Sequence, residues 1–164
     1  MAMSAALEVK RGGGFTLVEL LIAVVVVGVL LSLAAPSFSG FIANQQVKTA
    51  SNDLFSAFTY ARSEAVKRNQ SASLQAIGGD WVNGWRVVFD GATLRQWDAP
   101  GGIAVSATVT TVSFLGNGRT SASAALVFSL CDEQGRADVA KREVRVDMSG
   151  FAGVQRTGSD CNDG

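Results

Sequence analysis

Residues 15–35 read FTLVELLIAVVVVGVLLSLAA, an apolar run interrupted by one charge, Glu19. At about 1.5 Å of rise per residue it makes roughly 30 Å of helix, the thickness of a bilayer's hydrocarbon core. Beyond it the pattern turns amphipathic. Over residues 37–68, Phe38, Phe41, Ile42, Val47, Ala50, Leu54, Phe58, Ala61 and Ala65 recur at helical spacing, with Asn44, Gln45, Lys48, Asp53, Arg62, Glu64 and Lys67 among the polar residues between them. That period predicts a helix with one buried face. Pro36 stands between the two halves and predicts a kink, because its ring displaces a backbone hydrogen bond.

After Asn69 the period falls to two. Strands are predicted over residues 71–77, 85–89, 93–97, 125–130, 142–148 and 151–156, with residues 103–115 forming two strands or one bent strand. Turn residues separate them: Gly78-Gly79-Asp80, Asp90-Gly91 (a strong hairpin signal), Pro100-Gly101-Gly102, Gly116-Asn117-Gly118 and Ser149-Gly150. The expected class is α+β, a long N-terminal helix packed on a mostly antiparallel β-domain. One sheet of about seven short strands would bury a single face under the Val47/Leu54/Phe58 stripe. Trp85, at the head of a strand, reads as core.

The leader, residues 1–14, carries Lys10 and Arg11 against Glu8. Cations beside an apolar span place the N-terminus in the cytoplasm and the remainder across the membrane. Two plain alternatives compete: a secretory signal with small residues Ser32, Leu33 and Ala34 near a cut, and a simple anchor. The length of the run, the acid inside it and the helix continuing past it weigh against a secretory signal. The segments are then 1–14, 15–35 (transmembrane half), 36–68 (amphipathic half) and 69–164 (β-domain).

Charge is balanced at 14 basic and 14 acidic residues, with no histidine. This removes histidine bases, Ser-His and Cys-His nucleophiles and imidazole metal sites. There is no Ser-x-x-Lys and no Gly-x-Ser-x-Gly. Gly116-Asn117-Gly118-Arg119-Thr120-Ser121 imitates a dinucleotide fingerprint but lacks its third glycine and precedes no helix. Asp132 and Glu133, beside Gly135, read as solvated turn residues. No catalytic residue, metal site or cofactor is expected. Cys131 and Cys161 are the only cysteines, and both fall outside the cytoplasm on the orientation above. One disulfide between them would close a loop of about 30 residues and stabilise by roughly 3–4 kcal/mol. Free redox thiols would want a cation cluster or a C-x-x-C spacing, and neither is present.

The string Gly14-Phe15-Thr16-Leu17-Val18-Glu19, after a short basic leader and before a long apolar helix, resembles the type III signal of type IV pilins and pseudopilins. The resemblance implies that a prepilin peptidase cuts after Gly14 and methylates the new amine of Phe15. It also implies that Glu19 meets the Phe15 amine of a neighbouring subunit and fixes axial register. Pro36 falls where these proteins often carry a helix-bending proline. Asp80-Trp81-Val82-Asn83-Gly84-Trp85, Gly116-Asn117-Gly118-Arg119, and Leu130-Cys131-Asp132 with Gly135-Arg136 look like the GspH/FimT branch of minor pilins.

That branch implies a type IV pilin-like fold and a structural role. The subunit would wait in the inner membrane of a Gram-negative bacterium as a single-pass protein, N-terminus cytoplasmic and β-domain periplasmic. It would then join the tip or initiating complex of a type II secretion pseudopilus or a type IV pilus. Implied partners are the prepilin peptidase, other minor and major pilins or pseudopilins, the inner-membrane assembly platform and membrane lipid. The alternative is DNA uptake, since some FimT-like members carry a Gly-Arg-x-Arg turn before the last strand. Here that stretch reads Gly150-Phe151-Ala152-Gly153-Val154-Gln155-Arg156, with the motif's arginines missing, and residues 131–164 hold five basic against seven acidic side chains. Affinity for DNA rests on neutralising phosphates, so this tail is a poor candidate. Arg142, Arg145 and Arg156 are the residues that could still form a small basic patch.

Overall fold

A computed structural model describes residues 15–158, apart from the side chains of residues 32–37. The chain divides into two compact units, Met1–Ser37 and Phe38–Gly164. One helix, α1 (Leu17–Arg68), contributes to both.

In the first unit α1 begins with a cap. Thr16 Oγ1 accepts a hydrogen bond from the Glu19 backbone N–H at 3.2 Å. The order Thr16-Leu17-Val18-Glu19 is the threonine-x-x-glutamate spacing of a capping box, and the carboxylate sits in the first turn, where the helix dipole favours it. The described side chains that follow are apolar and bare: Leu17, Val18, Leu20, Leu21 and Ile22 through Leu31 are all exposed. Among the described residues no helix is long and apolar enough to cross a membrane. The helix continues through Pro36, whose side chain is outside the description, as are the leader with Gly14 and the tail with Cys161.

In the second unit α1 buries Ala43, Val47, Ala50, Leu54, Ala57, Phe58, Ala61 and Ala65. Steps of three and four keep these on one face. The buried stripe starts later than the sequence pattern suggests, because Phe38, Phe41 and Ile42 are exposed. The helix ends in a paired cap: Asn69 turns left-handed (φ 51°), its N–H reaches the Val66 carbonyl, and Gln70 N–H reaches that of Ala65. Asparagine tolerates that conformation, and two otherwise orphaned carbonyls are satisfied.

Eight strands follow, where about seven were expected: β1 (Ala72–Ala76), β2 (Trp85–Phe89), β3 (Ala92–Trp97), β4 (Ile103–Ala107), β5 (Thr111–Phe114), β6 (Leu126–Asp132), β7 (Arg142–Val146) and β8 (Ala152–Arg156). They form two four-stranded sheets rather than one, in the orders β3-β2-β1-β5 and β4-β6-β7-β8, antiparallel throughout. Asp90 and Gly91, both at positive φ, make the β2–β3 hairpin turn. The division falls inside residues 103–115. β4 pairs with β6 in one sheet, and β5 returns to β1 in the other. Trp81 ties this crossing, its buried indole N–H donating to the Val109 carbonyl at 2.6 Å.

Both sheets share one core. Phe58 of α1 lies 4.9 Å from the Phe128 ring of β6 and 6.4 Å from the Phe114 ring of β5. Trp81 meets Phe128 edge-on at 4.9 Å. Trp85 is fully buried, as the sequence predicts.

Candidate assembly surfaces

Three regions carry the residues singled out above. The first is the start of α1, where Phe15, 83% exposed, precedes the Thr16 cap and Glu19. An exposed aromatic, a capped helix start and a carboxylate thus lie within about one turn of one another.

The second is the part of α1 where the second unit begins. Phe38 and Phe41 stand side by side, ring centroids 6.3 Å apart. Phe41, Ile42, Gln45, Thr49 and Pro100 line a shallow, almost wholly apolar groove of about 260 Å³. On the same stretch of helix, the loop after β6 is clamped down. Asn44 donates to the Asp138 carbonyl at 2.7 Å and accepts from the Ala140 N–H at 2.9 Å, so one side chain satisfies two loop groups. Gly40 permits the close approach, since a Cβ there would overlap the Asp138 carboxylate.

The loop's own anchor is Asp132, expected in solvent but found buried. Arg136 grips both of its oxygens, at 2.8 and 2.9 Å, and reaches the Ser39 carbonyl at 3.4 Å. An isolated buried carboxylate would be costly; a two-pronged guanidinium makes it tolerable. The Arg136 hydrogen bond holds the Asp132 carboxyl below its ordinary range against the opposing effect of burial. The Glu64 carboxyl is lowered likewise by Arg68, and that of Asp147 by the Ser149 hydroxyl. The i, i+4 spacing of Asp132 and Arg136 was the available signal, but spacing does not reveal burial.

These three shifts have one sign. A carboxyl whose folded value is depressed lends stability that is fully present above its unfolded value, about 4, and is lost as pH falls toward the folded value. The melting temperature should therefore stay level from pH 7 to about 5 and drop steadily below about pH 4. Melts across that range check it, and a melting temperature holding to pH 2 would contradict the pairing.

The third region is the β7–β8 ribbon with Arg142, Arg145 and Arg156. Arg142 and Arg156 are register partners and share the sheet face of Val144 and Val146. Arg145 lies one residue out of phase, on the opposite face with Glu143 and Gln155. The sheet therefore brings two of the three arginines together and separates the third. At the turn before β8, Arg62 of α1 donates to the Gly118 carbonyl at 3.0 Å and stacks over the Phe151 ring at 4.1 Å. Gly150, at φ +82°, lies so close to the Gly118 carbonyl that any Cβ would overlap it.

Cys131 is disulfide-bonded, and no described cysteine is free. Its expected partner Cys161 lies outside the described residues. Among the described residues no cluster of acidic or sulfur side chains could hold a metal ion.

Residues 50–150 match the family described as type II transport protein GspH, and residues 9–35 match the prokaryotic N-terminal methylation motif. No curated protein gives a significant match. Among solved structures, the type IV minor pilin FimU of Pseudomonas aeruginosa superposes with a TM-score of 0.59 at 26% identity, covering 73% of this chain and 93% of FimU. A second crystal form of FimU gives 0.56 at 27% identity, covering 68% and 93%. The minor pseudopilin EpsH from the type 2 secretion system of Vibrio cholerae shares the fold, with a TM-score of 0.53 at 10% identity, covering 68% of this chain and 97% of EpsH.

Proposed function

The chain belongs to the GspH family of type II transport proteins, and from that premise we propose that it joins the tip or initiating complex of a type II secretion pseudopilus or a type IV pilus. A GspH chain with an N-terminal methylation motif is a pilin-like structural subunit, processed by prepilin peptidase and assembled with other pilins at the cell envelope. Residues 1–14 are removed, the amine of Phe15 is methylated, and residues 15–35 hold the subunit in the inner membrane with the β-domain, residues 69–164, in the periplasm. Membrane lipid and the assembly platform receive it there. Glu19 then pairs with a neighbour's Phe15 amine, Pro36 bends the helix, and Cys131 with Cys161 tethers the tail. Protein secretion or pilus biogenesis is what the filament serves.

The observation that carries this is the N-terminal helix itself. A capped start with an acid in its first turn leads into a stretch of bare Leu, Val and Ile side chains that no described part of the protein covers. So large an apolar surface is stable only in lipid or against other helices. The test is the mass of the N-terminal peptide from native cells, with the prepilin peptidase gene present and deleted. The expected peptide starts at Phe15 with one extra methyl group and disappears on deletion. A start near Ala35, or an uncut chain in both strains, would end the reading. DNA uptake draws less support, because Arg145 faces away from Arg142 and Arg156. A salt-sensitive gel shift at low protein concentration would reverse that judgement.

A further inference from the structure

A sheet's edge strands present unpaired N–H and C=O groups, and proteins normally guard them. Three of the four edges here are guarded. β3 is twisted away by the bulge opposite Val87 and Val88 and carries Arg95 stacked on Trp97. β5 is capped by the bridge of Phe114 to Thr120 and by Ser121 N–H on the Ser113 carbonyl. β4 is packed against the turn Trp81–Asn83.

The fourth edge, β8, has no bulge, bridge or covering turn among the described residues, and its one charge, Arg156, stands at its last position. It reads Ala-Gly-Val-Gln-Arg, without lysine, proline or bulge, and no described strand lies beyond it. Asp147 N–H bonds to the Phe151 carbonyl, and Thr157 N–H to that of Lys141. Bonded pairs alternate along an antiparallel ladder, so residues 151, 153, 155 and 157 face β7. The backbone groups of Ala152, Val154 and Arg156 therefore point outward.

Beside this edge lies a notch of about 340 Å³, bordered by Phe151, Gly153, Gln155 and Arg145. It exists because Gly153 has no side chain, and nothing lies within 4 Å of where its Cβ would be. Arg145 is the register partner of Gly153, and among the described residues it has no ion pair. Asp147 also borders the notch, but its carboxylate already accepts from the Ser149 N–H and hydroxyl and from the Phe151 N–H.

The geometry points to β8 as a strand-addition site: an extended segment of a neighbouring pilin-type subunit pairs with the outward groups of Ala152, Val154 and Arg156 and sets a carboxylate side chain in the notch over Gly153, against Arg145. Only another strand satisfies a row of outward backbone groups, and alternate side chains give such pairing its specificity. Arg145, without an ion pair among the described residues, selects an acid. The choice of partner rests on the assembly reading above.

The experiment places a photo-crosslinking amino acid at Gln155 in the full chain, in cells that make the filament, and maps the adducts by mass spectrometry. The expected adduct is a strand segment of a pilin-type subunit containing Asp or Glu. Val154→Pro removes an outward N–H while leaving the β7 ladder intact, a position where edge strands tolerate proline. It should lower the adduct about fivefold or more, since one interstrand bond is lost and a partner carbonyl is left without a donor. Gly153→Trp fills the notch from open space and should do the same. Arg145→Glu should also lower the adduct, with Arg145→Lys largely restoring it. No adduct, an adduct to a helical segment or to nucleic acid, or a strand adduct untouched by both Val154→Pro and Gly153→Trp overturns the inference. The N-terminal mass and filament recovery, read in the same cells, score the assembly reading separately. A strand adduct from a chain that never enters a filament would sink that reading and leave the edge site standing.

Discussion

Glu19→Ala is expected to leave membrane insertion and the fold of the β-domain intact while reducing incorporation into the filament about a hundredfold or more. In the proposed assembly the carboxylate enters apolar surroundings beside the Phe15 amine of the next subunit. Removing one partner of a buried pair strands the other charge, at about 3–5 kcal/mol. At about 1.4 kcal/mol per factor of ten, that is two orders of magnitude or more in the docking equilibrium. The helix start should survive, because the bond observed there runs from the backbone N–H of residue 19 to Thr16 and does not need the carboxylate. Glu19→Gln separates charge from shape: it should fail nearly as badly if the ion pair matters and assemble well if only packing does. Quantifying the variant in sheared filaments against the membrane fraction decides it. Normal incorporation of Glu19→Ala would sink the pairing.

Phe58→Ala should be the most damaging single truncation on α1. The side chain is 1% exposed and touches aromatic rings from both sheets. Deleting it leaves a cavity between three elements far apart in the chain, so no one of them can move in without breaking contacts elsewhere. Phe→Ala changes in cores cost about 3–5 kcal/mol, and for a domain of this size that lowers the melting temperature by roughly 10 °C or more. Phe41→Ala is the control. That ring is 66% exposed, and surface changes usually stay within about 0.5 kcal/mol. Thermal melts of the two variants should differ widely; similar melts would mean that Phe58 does not join the sheets.

Much of the fold was legible because its signals are local. The helix of residues 38–68 follows from a three-to-four spacing that any helix imposes, and the Val47/Leu54/Phe58 stripe is the buried one. The Asp90-Gly91 hairpin follows from two residues that accept positive φ. The expected strands fall within a few residues of the observed ones. The start of the stripe was misplaced because apolar spacing marks a face without saying where its cover begins. Val47 is buried, whereas Phe38 and Phe41 are not.

The sequence alone determined the N-terminal signal, the helix, the strands and their turns, since each depends on residues a few positions apart. The tertiary structure decided which strands pair. An alternating strand such as β5 could lie in either sheet; its register with β1, and that of β4 with β6, sent two neighbouring strands to different sheets. It also decided that Asp132 is buried in the grip of Arg136 and that Arg145 is parted from Arg142 and Arg156. That no described strand lies beyond β8 follows from the same pairing. These outcomes depend on contacts between distant segments, whose energies depend on register and burial rather than on any local pattern of residues.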